Sequence, residues 1–145
     1  MPDPSTIETL IAAIDTIVPA TEGMPGAIEL NAHQHVIDML ELSLPGITDM
    51  VATLLDAYAG EVSPGTPFKD LSAEDRGTVF RAMSTDDSQD IRDAIDALIV
   101  FGCGGTFSEW SGYDRASGSL KAPATWAAVG YHGPSHGHPD YREHA

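Results

Sequence analysis

Ser5-Thr6-Ile7-Glu8-Thr9-Leu10-Ile11-Ala12-Ala13-Ile14-Asp15-Thr16-Ile17-Val18-Pro19 is the stretch that decides the fold class. Ile7, Leu10, Ile11, Ile14, Ile17 and Val18 recur at helical spacing and form one apolar stripe, a pattern that buries one side of a helix. Ser5 as N-cap with Glu8 three residues on reads as a capping box. Pro19 ends the element, because proline has no N–H to donate and clashes with the preceding turn.

The same period continues outward along the chain. A second helix is expected to start near Pro25 or Gly26, with Ile28, Ala32, Val36, Met39 and Leu40 on one face, and to stop at Pro45-Gly46. A third carries Ile47, Met50, Val51, Leu54, Leu55 and Tyr58 up to a loop marked by Gly60, Pro64, Gly65 and Pro67. Ser72-Ala73-Glu74-Asp75 opens a fourth, with Leu71 placed as a hydrophobic staple and Val79, Phe80 and Met83 pointing inward. After the break at Ser84-Thr85-Asp86-Asp87, a fifth turns Ile91, Ala94, Ile95, Leu98 and Ile99 inward and Asp90, Arg92, Asp93 and Asp96 toward water. Five helices without a convincing alternating strand run predict an all-α, single-domain bundle. Residues 1–110 are expected to form the helical core. Residues 111–145 are expected to form a long Gly/Pro/aromatic C-terminal arm packed on the core or on a partner.

The chain has 145 residues, which suits one domain with one core. Its 22 acidic and 7 basic residues give a net charge of -15, which argues against nucleic acid and against anionic lipid surfaces. It fits a soluble protein whose partner offers basic or mixed patches. Cys103 is the only cysteine, so no intrachain disulfide forms, and the small residues around it predict a packed thiol. No apolar run approaches ~20 residues, so no direct membrane insertion is expected. Met1-Pro2-Asp3-Pro4-Ser5 has neither a basic n-region nor an apolar h-region. The expected location is cytoplasmic, or exported only together with a partner.

Familiar catalytic signatures are missing: there is no glycine-rich phosphate loop, no His-Glu-x-x-His and no Gly-x-Ser-x-Gly. No catalytic residue and no cofactor are assigned to this chain. His33 and His35 stand two apart and so point to different sides of a helix, whereas His35 and Asp38 share a face. His132, His136 and His138 are the metal candidates, since neutral imidazoles gathered by a loop suit zinc, copper or nickel. A stand-alone metal-binding protein built on them is the alternative function, and a self-associating helical protein is a third. The run Asp86, Asp87, Asp90, Asp93 and Asp96 reads as a solvated face with no calcium-loop spacing. Phe107, Trp110, Tyr113, Trp126, Tyr131 and Tyr141 either plug the core or anchor a partner.

Trp126-Ala127-Ala128-Val129-Gly130-Tyr131-His132-Gly133-Pro134 resembles the closing Trp-x-x-x-Gly-Tyr-Pro-Gly-Pro motif of the gluconate 2-dehydrogenase subunit 3 family, with His132 in place of the first proline. Thr9 to Ala20, Pro25-Gly26-Ala27, the stretch Phe68-Lys69-Asp70-Leu71-Ser72-Ala73-Glu74-Asp75-Arg76 and Phe107-Ser108-Glu109-Trp110 also look like that family, so the resemblance covers about residues 5 to 140. It implies a non-catalytic small subunit of a flavin dehydrogenase complex. In that family the FAD lies in a large subunit similar to glucose-methanol-choline (GMC) oxidoreductases, and a cytochrome often takes the electrons. The resemblance implies that this small subunit supports the folding, stability or export of its partner. The twin-arginine export signal common in the family does not occur here. The interface is then expected on the arm, at Trp126, Gly130, Tyr131, Gly133, Pro134 and Tyr141. Gly130 and Gly133 would give close approach or positive φ, and Pro134 would add rigidity.

Overall fold

The computed structural model describes residues 2–114 and 116–132. Five helices follow in order: α1 (Pro4–Ile17), α2 (Ala32–Ser43), α3 (Ile47–Val62), α4 (Ala73–Ser84) and α5 (Gln89–Phe107). A two-stranded antiparallel ribbon, β1 (Tyr113–Asp114) with β2 (Ser119–Leu120), and a short helix, α6 (Ala124–Ala128), come after them. Single 3-10 turns at Phe68–Asp70 and Glu109–Gly112 complete the described elements. The fold is all-α, as its periodicity predicts.

α1 begins two residues earlier than the capping box suggests. Asp3, not Ser5, is the N-cap, and its Oδ1 accepts from the backbone N–H of Ser5 at 2.8 Å and of Thr6 at 3.0 Å. Pro4 explains the choice, because the first helical position is where a missing N–H costs nothing. The start of α2 also differs from expectation. Residues 27–31 form turns, Asn31 sits at φ 58°, and the helix begins only at Ala32. Two links pin this connection: Ala27 N–H donates to Val18 O at 2.9 Å, and Gly26 N–H donates to Glu29 Oε2 at 3.0 Å.

The break before α3 lies at Pro45-Gly46 as expected, with Gly46 at φ 84°, a conformation glycine adopts without steric cost. Gly46 has no side chain to cap the new helix, and Glu41 does so instead. Its carboxylate accepts from Gly46 N–H at 2.9 Å, from Thr48 N–H at 3.3 Å and from the Thr48 hydroxyl. These bonds, Gly46 first, hold the Glu41 carboxyl below its ordinary pKa. Ser72 caps α4 through Asp75 N–H at 3.1 Å. Leu71 is buried at the position before that cap, but the residue where a staple partner belongs is Arg76, so no apolar staple closes there.

The core gathers Leu10 and Ile14 of α1, Val36 and Leu40 of α2, Val51 and Leu55 of α3, Val79 and Met83 of α4, and Ile95 and Leu98 of α5 around Phe68. Each fully buried large side chain contributes about 1.5–3 kcal/mol relative to exposure. α5 packs on α2, α4 and α1, and α3 on α4, α1 and α2. Two expected core residues face water instead: Met50 is 57% exposed and Ile99 is 41% exposed. α5 also runs through Gly102-Cys103-Gly104-Gly105 to Phe107, where small residues let α2 approach. A Cβ on Gly105 would lie 3.0 Å from His35 Cβ and 3.1 Å from Ala32 Cβ. Cys103 is partly buried against the core, the packed thiol expected.

Candidate partner-binding surface

The C-terminal end of α5 leaves carbonyl groups without helical partners, and later residues return to satisfy them. Thr125 Oγ1, fully buried, donates to Thr106 O at 3.0 Å, and Ser111 Oγ donates to the same oxygen at 3.1 Å. Trp126 Nε1 donates to Phe107 O at 2.8 Å. The segment then folds over itself. Tyr131 N–H donates to Trp126 O at 2.8 Å, and the two rings meet edge to face at 5.0 Å and 81°. Gly130 makes that return at φ 71°, the positive φ expected of it.

Trp126 is therefore held by its own chain, its polar edge used internally. Tyr131 is 48% exposed and Val129 56% exposed, while Leu120 at 54% and Tyr113 at 47% stand on the neighbouring ribbon. These four are surface apolar groups of the arm. Gly133, Pro134 and Tyr141 lie outside the described residues, and so do His136 and His138. His132 is exposed. Among the described residues, no group of three or more His, Cys, Asp or Glu side chains could hold a metal ion. Thr106 and Thr125, which fasten the arm to the bundle, carry no pattern that marks them in the sequence.

His33 and His35 do part, as their spacing requires. The His33 Nδ1 is buried and has no hydrogen-bond partner among the described residues. The His35 ring lies 4.9 Å from that of Trp110. Burial lowers both imidazole pKa values, with the Asp38 charge opposing the shift at His35.

The stretch Phe68 to Arg76 is a packing joint. Phe68 is buried, its N–H donates to Asp56 Oδ1 at 2.8 Å, and its ring stacks on Phe80 at 5.7 Å. Arg76 reaches Lys69 O at 2.5 Å and lies over the Phe68 ring, 5.9 Å from its centroid. Lys69 bridges to Glu8 and Asp70 at 3.4 Å each, and Arg76 stands 4.0 Å from Asp15. An open cleft of about 530 Å³ lies here between Glu8, Asp15, Lys69 and Arg76. Both cations face carboxylates there, and the Arg76 Nε is buried without a hydrogen-bond partner among the described residues.

No helix among the described residues is long and apolar enough to cross a membrane. No curated protein and no solved structure matches the chain. The family model described as gluconate 2-dehydrogenase subunit 3 matches residues 4–117, the helical body and the ribbon's first strand, and stops before Trp126. On that match, spanning well over half its length, the chain belongs to the gluconate 2-dehydrogenase subunit 3 family.

Proposed function

We propose that this chain is the non-catalytic accessory small subunit of a flavin-dependent, GMC-type sugar or alcohol dehydrogenase complex. It stabilises or chaperones the large subunit, which carries the FAD, and a cytochrome completes the electron path. The observation that carries this reading is the family match over residues 4–117. The exposed apolar side chains on the arm support a role in assembly, because desolvating aromatic groups is the usual source of interface energy. The contact is placed on the arm, at Trp126, Gly130, Tyr131, Gly133, Pro134 and Tyr141. Trp126→Ala, which also frees the arm from Phe107 O, then weakens assembly by about 2 kcal/mol or more.

The test is affinity purification from the native host followed by an absorbance spectrum of the eluate. Flavin bands from a co-eluting larger chain support the reading. A colourless single chain refutes it and turns attention to metal analysis of the tag-free protein.

A further inference from the structure

The end of α2, the start of α3 and the first half of α5 enclose a groove of about 610 Å³. Leu40, Ile47, Val51, Leu54 and Ile91 are among the apolar residues lining it. Leu44 and Met50 also line it and are 51% and 57% exposed, two large apolar side chains open to water beside one cavity. Asp90 and Asp93 form its polar edge, and no Lys or Arg is among its described lining residues. Arg92 lies between those two aspartates in sequence, but its guanidinium is bound to Asp86 O and to Gln89 Oε1. α2 and α3 supply no Lys or Arg, since the first such residue of the chain is Lys69.

We propose that this groove docks an amphipathic helix of a partner protein, with apolar side chains along one face and Lys or Arg along its flank. The apolar floor suits residues at i, i+3, i+4 and i+7 of such a helix. The aspartate edge attracts a basic flank and disfavours an acidic one. Charge argues against a second copy as the occupant: a two-fold interface would bring the same aspartates of two chains, each of net charge -15, together. The chain's own residues 133–145 offer one large apolar side chain, Tyr141, which is too little to fill the groove. This surface is separate from the arm, and it rests on the accessory-subunit reading only for which protein supplies the helix.

The full chain is titrated with a fluorescent Leu/Lys peptide of roughly 18 residues, leucines at helical spacing. A scrambled Leu/Lys peptide and a patterned Leu/Glu peptide serve as controls. The patterned Leu/Lys peptide should bind, the scrambled one at least ~tenfold more weakly, and the Leu/Glu one not at all. Met50→Asp should weaken binding at least ~tenfold, and Asp90→Asn with Asp93→Asn several-fold. Removing the same charge elsewhere, by Glu22→Gln with Glu109→Gln, should leave binding unchanged. Met50 is exposed, so the fold should survive its replacement; Leu44→Lys, checked by circular dichroism, provides a second variant.

Equal binding of the scrambled peptide, or equal weakening by the distant pair, would overturn the proposal, because attraction to any acidic surface would then suffice. A concentration-dependent dimer abolished by Met50→Asp would also overturn it in favour of a second copy. The same variants are carried through co-purification with the flavoprotein. If the native chain retains no flavoprotein yet binds the peptide at the groove, the accessory-subunit reading fails and the groove stands. If the native chain retains it but the groove variants bind peptide normally, the groove fails and the accessory reading stands.

Discussion

The indole N–H of Trp126 donates to the carbonyl oxygen of Phe107 at 2.8 Å, which ties the C-terminal arm to the last turn of α5. The bond satisfies a carbonyl that the helix end leaves open. Trp126→Phe keeps most of the ring and removes the donor, so it should cost about 1 kcal/mol and lower the thermal midpoint by ~3 °C. Tyr131→Ala removes a half-exposed ring and should change the midpoint less. An unchanged midpoint in Trp126→Phe would show that the bond contributes nothing to stability.

Gly104 and Gly105 are neighbours in α5 with opposite expected responses to alanine. A Cβ at Gly105 would crowd His35 Cβ at 3.0 Å and Ala32 O at 3.1 Å, whereas one at Gly104 would meet only His35 Nε2 at 3.6 Å. Gly105→Ala should therefore destabilise by about 1–3 kcal/mol through overpacking. Gly104→Ala should gain up to about 1 kcal/mol of helix propensity. Urea unfolding of both variants checks the pair, and equal effects would mean that α2 and α5 do not approach so closely.

Tyr58 donates its hydroxyl to Asp86, which joins α3 to the turn after α4. The bond, followed by burial and nearby negative charge, pushes the phenol up to about 12 from 10.0. At Asp86 the same bond, then Ser88 N–H, lowers the carboxyl below its ordinary 3.8. The Tyr58 contribution is complete below pH 10 and is lost as pH rises through 12. The Asp86 contribution is complete above the ordinary carboxylate range and is lost as pH falls through its lowered pKa. Tyr58→Phe should thus be less stable than the native chain near neutrality and should converge with it in strong acid and strong base. A gap that does not change with pH would refute the pairing.

His33 and His35 give the opposite pH dependence to a salt-bridged histidine. Both folded pKa values lie below 6.5, so the unfolded chain binds protons first on acidification. Stability from these groups is full above pH 6.5 and falls as pH drops through the lowered values. Between pH 7.5 and pH 5 the thermal midpoint of the native chain should fall relative to that of His33→Gln with His35→Gln. An equal decrease in that variant would assign the effect to other groups.

The apolar period alone determines five helices, because residues three and four apart lie on one helix face whatever they pack against. The helix boundaries at Pro45-Gly46 and Ser72 were legible for the same local reason. Tertiary context decided the rest. Asp3 rather than Ser5 caps α1, since Pro4 takes the first helical position. Met50 and Ile99 carry the inward period yet face water, because the neighbouring helices do not cover them. Gly102 to Gly105 stays helical, although glycine is a poor helix former, because α1 packs against Gly102 and α2 against Gly104 and Gly105.

The arm shows the limit most clearly. Trp126 and Tyr131 stand out in the sequence as large aromatics, but the pairing of Trp126 with Phe107 O and of Thr125 with Thr106 O joins positions 19 residues apart. The groove between Leu44, Met50 and Ile91 likewise draws on three helices. Local pattern reports which face of a helix is apolar, and only the packing of helices against one another reports which part of that face remains uncovered.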